Sequence, residues 1–152
     1  MANYPFTPSI SYKKPMLALP WLERAFGFET TMLIEGPDGD DRFMHSEMNF
    51  QGQGRIMVGG EWADWVKAPG SVNGANTQSL HVHLRSGVDA HCERARAAGA
   101  RIVQEPETQF YGDRTYRCVD LEGHYWTFAE TVQSLTIEQM EKAGGVTIKG
   151  SL

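Results

Sequence analysis

The chain has 152 residues, 41% of them hydrophobic and 22% charged, a balance that supports a buried core. Its formal net charge is −5 with the two signs interspersed, which argues against nucleic-acid or anionic-membrane partners because both need a basic face. No apolar run approaches the roughly 20 residues of a bilayer span, Cys92 and Cys118 do not make a disulfide framework, and no signal-peptide pattern is visible, so a cytoplasmic protein is expected.

Taken in order, Ser9 to Tyr12 reads as a short strand stopped by Pro15. Leu17 to Phe26 reads as a helix with Trp21, Leu22, Ala25 and Phe26 on one stripe, Pro20 in its first turn and Gly27 at its end. Phe28 to Glu35, Arg42 to Phe50 and Arg55 to Val58 follow as strands, separated by turns at 36–40 and 51–54. Gly59 to Asn76 breaks the pattern and reads as a linker carrying Trp62 and Trp65. Ser79 to Arg85 alternates as a strand, and Val88 to Ala98 reads as a helix with Ser86 as N-cap and Gly99 as its stop. Arg101 to Gln104, Asp113 to Val119 and Tyr125 to Val132 are the remaining strands. A capping box, Thr136 with Gln139, opens a C-terminal helix ending at Gly144.

The order is βαβββ, linker, βαβββ and tail, so an α+β fold of two repeats is expected, with half-repeats at about 7–59 and 78–132 of a single domain and a tail at 133–152. Glu23-Arg24-Ala25 recurs as Glu93-Arg94-Ala95, an offset of 70, and Asp41-Arg42 recurs as Asp113-Arg114, an offset of 72.

The run Trp21-Leu22-Glu23-Arg24-Ala25-Phe26-Gly27-Phe28-Glu29 resembles the first-helix signature of the glyoxalase, bleomycin-resistance and dioxygenase (vicinal oxygen chelate) superfamily. His45-Ser46-Glu47-Met48 resembles its third strand, and 88–95 with Gly99-Ala100 its second helix. Tyr111 to Arg114 and Asp120 to Trp126 resemble its closing hairpin in the style of the PhnB-like branch. The resemblance covers about residues 7–131 and implies curved mixed sheets around a concave pocket, with homodimers common among relatives. It leaves the chemistry open, since that fold hosts isomerases, dioxygenases, transferases and drug-binding proteins.

Alternation sorts the strands. Leu80, Val82 and Leu84 face the helix, leaving Ser79, His81 and His83 inward; Trp126 and Phe128 face the helix, leaving Tyr125, Thr127 and Ala129 inward; His45, Glu47 and Asn49 share a face. Metal-dependent relatives place four ligands on four strands, and the resemblance puts Thr7, Glu47, Ser79 and Thr127 there. One carboxylate with hydroxyls does not hold a catalytic divalent ion, so no metal and no other cofactor is expected. A register shift that gathers His45, Glu47, His81 and His83 is the alternative left open.

The expected ligand-binding residues are His45, Glu47, His81, His83, Arg117, Tyr125 and Thr127. The leading expectation is a protein that binds or sequesters a small organic compound, aromatic or cationic. The alternative is a lyase or isomerase of the glyoxalase type, or a dioxygenase, acting on a small oxygenated substrate with Glu47 and His81 moving the proton. Trp62 and Trp65 have two readings: a plug of the linker against the sheet edge, or a roof over the pocket. His91 is expected to be solvated, and His124 to fix the closing hairpin. Cys92 reads as core, and Cys118 as no nucleophile.

Overall fold

A computed structural model describes residues 3–151 of the chain. Pro15 occupies the first helical position, where its missing N–H costs nothing, so helix α1 runs Pro15–Phe26 and starts before Leu17. Pro20 consequently lies inside the helix rather than in its first turn. It sits on the exposed side, where a freed carbonyl remains accessible to water. The opposite side buries Ala18, Leu19, Trp21, Leu22, Ala25 and Phe26, and Gly27 ends the helix with a left-handed φ of 82°.

Strands β1 (Ser9–Ser11), β2 (Phe28–Ile34), β3 (His45–Phe50) and β4 (Gly54–Gly59) form one sheet in the order β1-β4-β3-β2. Only the β1–β4 pairing in it is parallel. Strands β5 (Leu80–His83), β6 (Arg101–Thr108), β7 (Asp113–Val119) and β8 (Tyr125–Thr131) form the second sheet in the order β5-β8-β7-β6, with β5 parallel to β8. Each βαβββ run thus closes its own mixed sheet, as the element order implies. Strand β6 continues four residues past Gln104, through Pro106, because it is the sheet edge and an edge strand tolerates a missing donor.

Helix α2 (Val88–Ala97) is not capped by Ser86. Gly87 takes the N-cap position with φ 81°, and the Val88 N–H donates instead to the Glu130 carboxylate of β8 at 3.0 Å. In the same manner the Glu122 carboxylate, from the β7–β8 turn, accepts the Lys13 and Lys14 N–H groups at 2.6 and 2.9 Å, just ahead of α1. An acidic group at each helix N-terminus is the electrostatically favoured arrangement. Asp41-Arg42 lies in a short 3-10 turn before β3, held by the Asp40 carboxylate, whereas Asp113-Arg114 opens β7; the two pairs therefore do not occupy matching points. The capping box of Thr136 and Gln139 opens α3 (Ile137–Gly144) as expected.

The two units share one core, in which Tyr12, Phe26, Met48, Val58, Tyr116, Trp126 and Phe128 are almost fully buried. Phe26 packs against Trp126 and Phe128 with ring centroids 5.1 and 4.8 Å away. The helix C-termini clasp each other. The Trp21 indole donates to the Ala98 carbonyl, and the Arg94 guanidinium donates to the Glu23 and Arg24 carbonyls, all at 2.8 Å. His91 is not the solvated side chain expected of it. It is half-buried, accepts the Tyr116 hydroxyl proton at Nδ1 (2.6 Å) and donates from Nε2 to the Phe26 carbonyl (2.8 Å). No helix among the described residues is long and apolar enough to cross a membrane.

Candidate functional site

The pleat of the first sheet puts Glu47 in register with Met57 and Ser9, and His45 in register with Gly59 and Ser11. Gly59 has no side chain and its neighbour Ser11 is small, so this end of the face is hollow. A cavity of about 260 Å³ lies there, lined by Ser9, Ser11, Phe43, Met44, His45, Gly59, Gly60 and Trp62. Gly60 packs so tightly on the Asp41–Arg42 backbone that a Cβ would come within 2.4 Å of the Asp41 carbonyl oxygen. That close approach steers the chain out of β4 and into the linker.

The linker then crosses the seam between the sheets. Beneath it lies a larger cleft of about 540 Å³, bordered by Ser9, Ile10 and Ser11 of β1, Leu80 of β5, and His124, Tyr125 and Trp126 at the start of β8. Its outer wall is the linker itself: Trp62, Trp65, Val66, Lys67, Pro69, Val72 and 75–78. Ser9, Ser11 and Trp62 border both cavities, so the two adjoin. Trp62 and Trp65 stand edge to face with centroids 4.9 Å apart, and they are 52% and 76% exposed. They border the cleft rather than plug a sheet edge.

Behind the cleft, Asp120 anchors the wall. Its carboxylate accepts the Tyr12 hydroxyl at 2.6 Å, the Trp126 indole at 3.1 Å, the His124 ring Nδ1 at 3.1 Å, and the Glu122 and His124 backbone N–H groups. Burial alone would push this carboxyl up, but the bond to His124 and its charge, with Tyr12 and the Glu122 N–H, hold it below the usual carboxylate range. Burial first, and Asp120 second, raise the Tyr12 phenol well above its ordinary value. The His124 Nε2 faces the Ser11 carbonyl oxygen at 2.9 Å. Both ring nitrogens are therefore committed to joining β1 to the closing turn.

Of the residues singled out by sequence, His45 and Tyr125 border the cavities. Glu47 points to the same side of its sheet but forms an ion pair with Arg55 at 3.0 Å, with both side chains largely buried. His81, Thr127 and Arg117 lie in one row across β5, β8 and β7, and the Arg117 Nε donates to the Thr127 hydroxyl at 3.2 Å. His83 bonds the Thr131 hydroxyl at 3.0 Å. Glu47 and His81 stand on different sheets, and no hydrogen bond or ion pair joins them among the described residues.

The residues present do not fit the divalent ion of the metal-dependent relatives: Glu47 is held by Arg55 and Thr127 by Arg117. Among the described residues, the one group of three acidic, thiol or imidazole side chains with converging atoms is Cys92, Glu93 and Glu105, and Arg96 already holds both carboxylates. Burial pushes the Cys92 thiol up to about 11 and the Cys118 thiol up to about 12, which leaves neither as a thiolate nucleophile at neutral pH.

Sequence reasoning left two readings of Trp62 and Trp65 of the linker, one of them a roof over the pocket, and did not single out Ser9, Ser11, Lys67 or 76–78 as its lining. The available signal was the pair of tryptophans in a glycine- and proline-containing segment. Residues 10–128 match the family described as the Glyoxalase/Bleomycin resistance protein/Dioxygenase superfamily. An uncharacterized protein of Mycobacterium bovis is 28% identical over 134 residues, which are 83% of this chain and 82% of that protein. TioX from Micromonospora sp. ML1 is similar in structure with a TM-score of 0.64 and 29% identity, over 88% of this chain and 100% of its own. TnmS3, described as an antibiotic binding protein from Streptomyces sp. CB03234, shares the fold with a TM-score of 0.65 at 16% identity, over 86% of this chain and 98% of its own.

Proposed function

The chain belongs to the Glyoxalase/Bleomycin resistance protein/Dioxygenase superfamily, and from that premise we propose that it binds and sequesters a small planar organic compound in the cleft at the seam of its two sheets. One observation carries this reading: two exposed indole rings, Trp62 and Trp65, border a cleft of about 540 Å³ whose other side holds Tyr125 and Trp126. Exposed tryptophan is costly surface for a protein without a use for it, and rigid aromatic side chains bind flat ligands at low entropic cost. TnmS3 lends support, since the same fold serves antibiotic binding in that protein.

Catalysis by Glu47 and His81 stands behind binding, because Arg55 holds the carboxylate and the histidine lies on the other sheet. A homodimer of the PhnB-like branch belongs to the same proposal. Met32, Leu33 and Ile34 leave an apolar strip exposed along the edge strand β2, which a second copy would cover. The test is a thermal-denaturation screen against planar aromatic compounds. A saturating binder raises the melting temperature, with about 2.7 kcal/mol of stabilisation at a hundredfold excess over its Kd, and is recovered unchanged. No shift from any compound, or conversion of the compound into product, would overturn the reading.

A further inference from the structure

The charge distribution around the cleft specifies the class of compound it takes. We propose that the ligand is a planar aromatic anion, with its ring against Trp62, Trp65 and Tyr125 and its negative group meeting the Lys67 ammonium. This rests on the reading of the cleft as a binding site. Lys67 borders the cleft, and no aspartate or glutamate does. Its ammonium forms no ion pair with a described residue.

The nearby carboxylates are occupied or turned away. Glu61 accepts the Ala68 N–H at 2.8 Å and bonds Ser71. Burial would raise its carboxyl, but these bonds and the charges of Lys67 and Lys13 outweigh burial and hold it below the usual range, so it counters part of the Lys67 charge from outside the cleft. Asp64, between the two tryptophans in sequence, does not border the cleft. Glu47, on the adjoining face, is neutralised by Arg55. Lys13 lies outside the cleft lining, against Gly70, and its charge acts on Glu61. A cationic ligand would find aromatic faces but no carboxylate, and Lys67 would repel it; an anion finds both surfaces complementary. The compact ammonium on its flexible stem can follow a carboxylate, phenolate or sulfonate alike.

The experiment is calorimetric titration of the full chain with three probes of one shape: 2-naphthoate, 2-naphthylmethanol and 2-naphthylmethylamine. The naphthoate is expected to bind about tenfold more tightly than the alcohol, and the amine more weakly than either. Lys67→Met should bring the naphthoate-to-alcohol ratio to about one, while Lys67→Arg should keep the preference. Raising the salt concentration should weaken the naphthoate selectively. Melting curves of both variants verify that they fold. Equal affinities for all three probes, an amine that binds best, or a preference that survives Lys67→Met would overturn the anion assignment and leave the cleft a binding site. Failure of all three probes, alongside a negative thermal screen, would instead remove the binding reading underneath.

Discussion

Asp120, which is buried, and His91, which is half-buried, are ionisable side chains that join the two units, and both make the protein sensitive to acid. The Asp120 carboxyl is held below its ordinary value, so its contribution is complete above the unfolded carboxylate value of about 4 and disappears as pH falls through the folded one. Burial likewise lowers the His91 imidazole, with its bond to Phe26 working in the opposite direction. The folded state therefore disfavours the cation, and stability present above about pH 6.5 falls as pH drops through the lowered value. Urea midpoints should decline between pH 7.5 and 5.5, and His91→Gln, which removes the titration, should flatten that part of the curve. Asp120→Ala strands the donors of Tyr12, His124 and Trp126 in the interior and should cost about 3–5 kcal/mol in urea unfolding at pH 7.

At the scale of elements, the helix ends carry the contact between units. Arg94 covers the Arg24 carbonyl at the end of α1 and adds a donor to the Glu23 carbonyl, which the Gly27 N–H already caps. The setting is exposed, so Arg94→Ala should cost about 1 kcal/mol. Phe26 fills the space between α1 and β8, and Phe26→Ala should cost about 3–5 kcal/mol; chemical denaturation separates the two magnitudes. Strand identities and the row that His81 shares with Thr127 were legible in the sequence, because alternation on a half-buried sheet is a local signal. Helix starts were less so. Pro15 reads equally as a strand stop and as a first helical residue, and Ser86 loses the cap to Glu130, which lies 42 residues from Val88. His91 misled for a similar reason: its charged sequence neighbours point outward while the ring turns in toward Tyr116.

For the whole molecule, the fold was readable and the path of the linker that borders the cleft was not. Of the residues expected to hold a ligand, His45 and Tyr125 border the cavities, whereas Glu47, His81, His83, Arg117 and Thr127 border neither. The cleft's outer wall is an irregular segment, and no periodicity encodes the path of such a segment over a seam. The seam itself is set by contacts such as Tyr12 to Asp120, which are 108 residues apart. The most direct test is NMR observation of the four tryptophan indole N–H signals, assigned by single Trp→Phe variants, during titration with 2-naphthoate. The Trp62 and Trp65 signals should move together and saturably, while Trp21, bonded to Ala98 in the core, stays in place. Saturable binding that leaves the Trp62 and Trp65 signals unmoved, and instead shifts the amides around Glu47 and His81, would contradict the account.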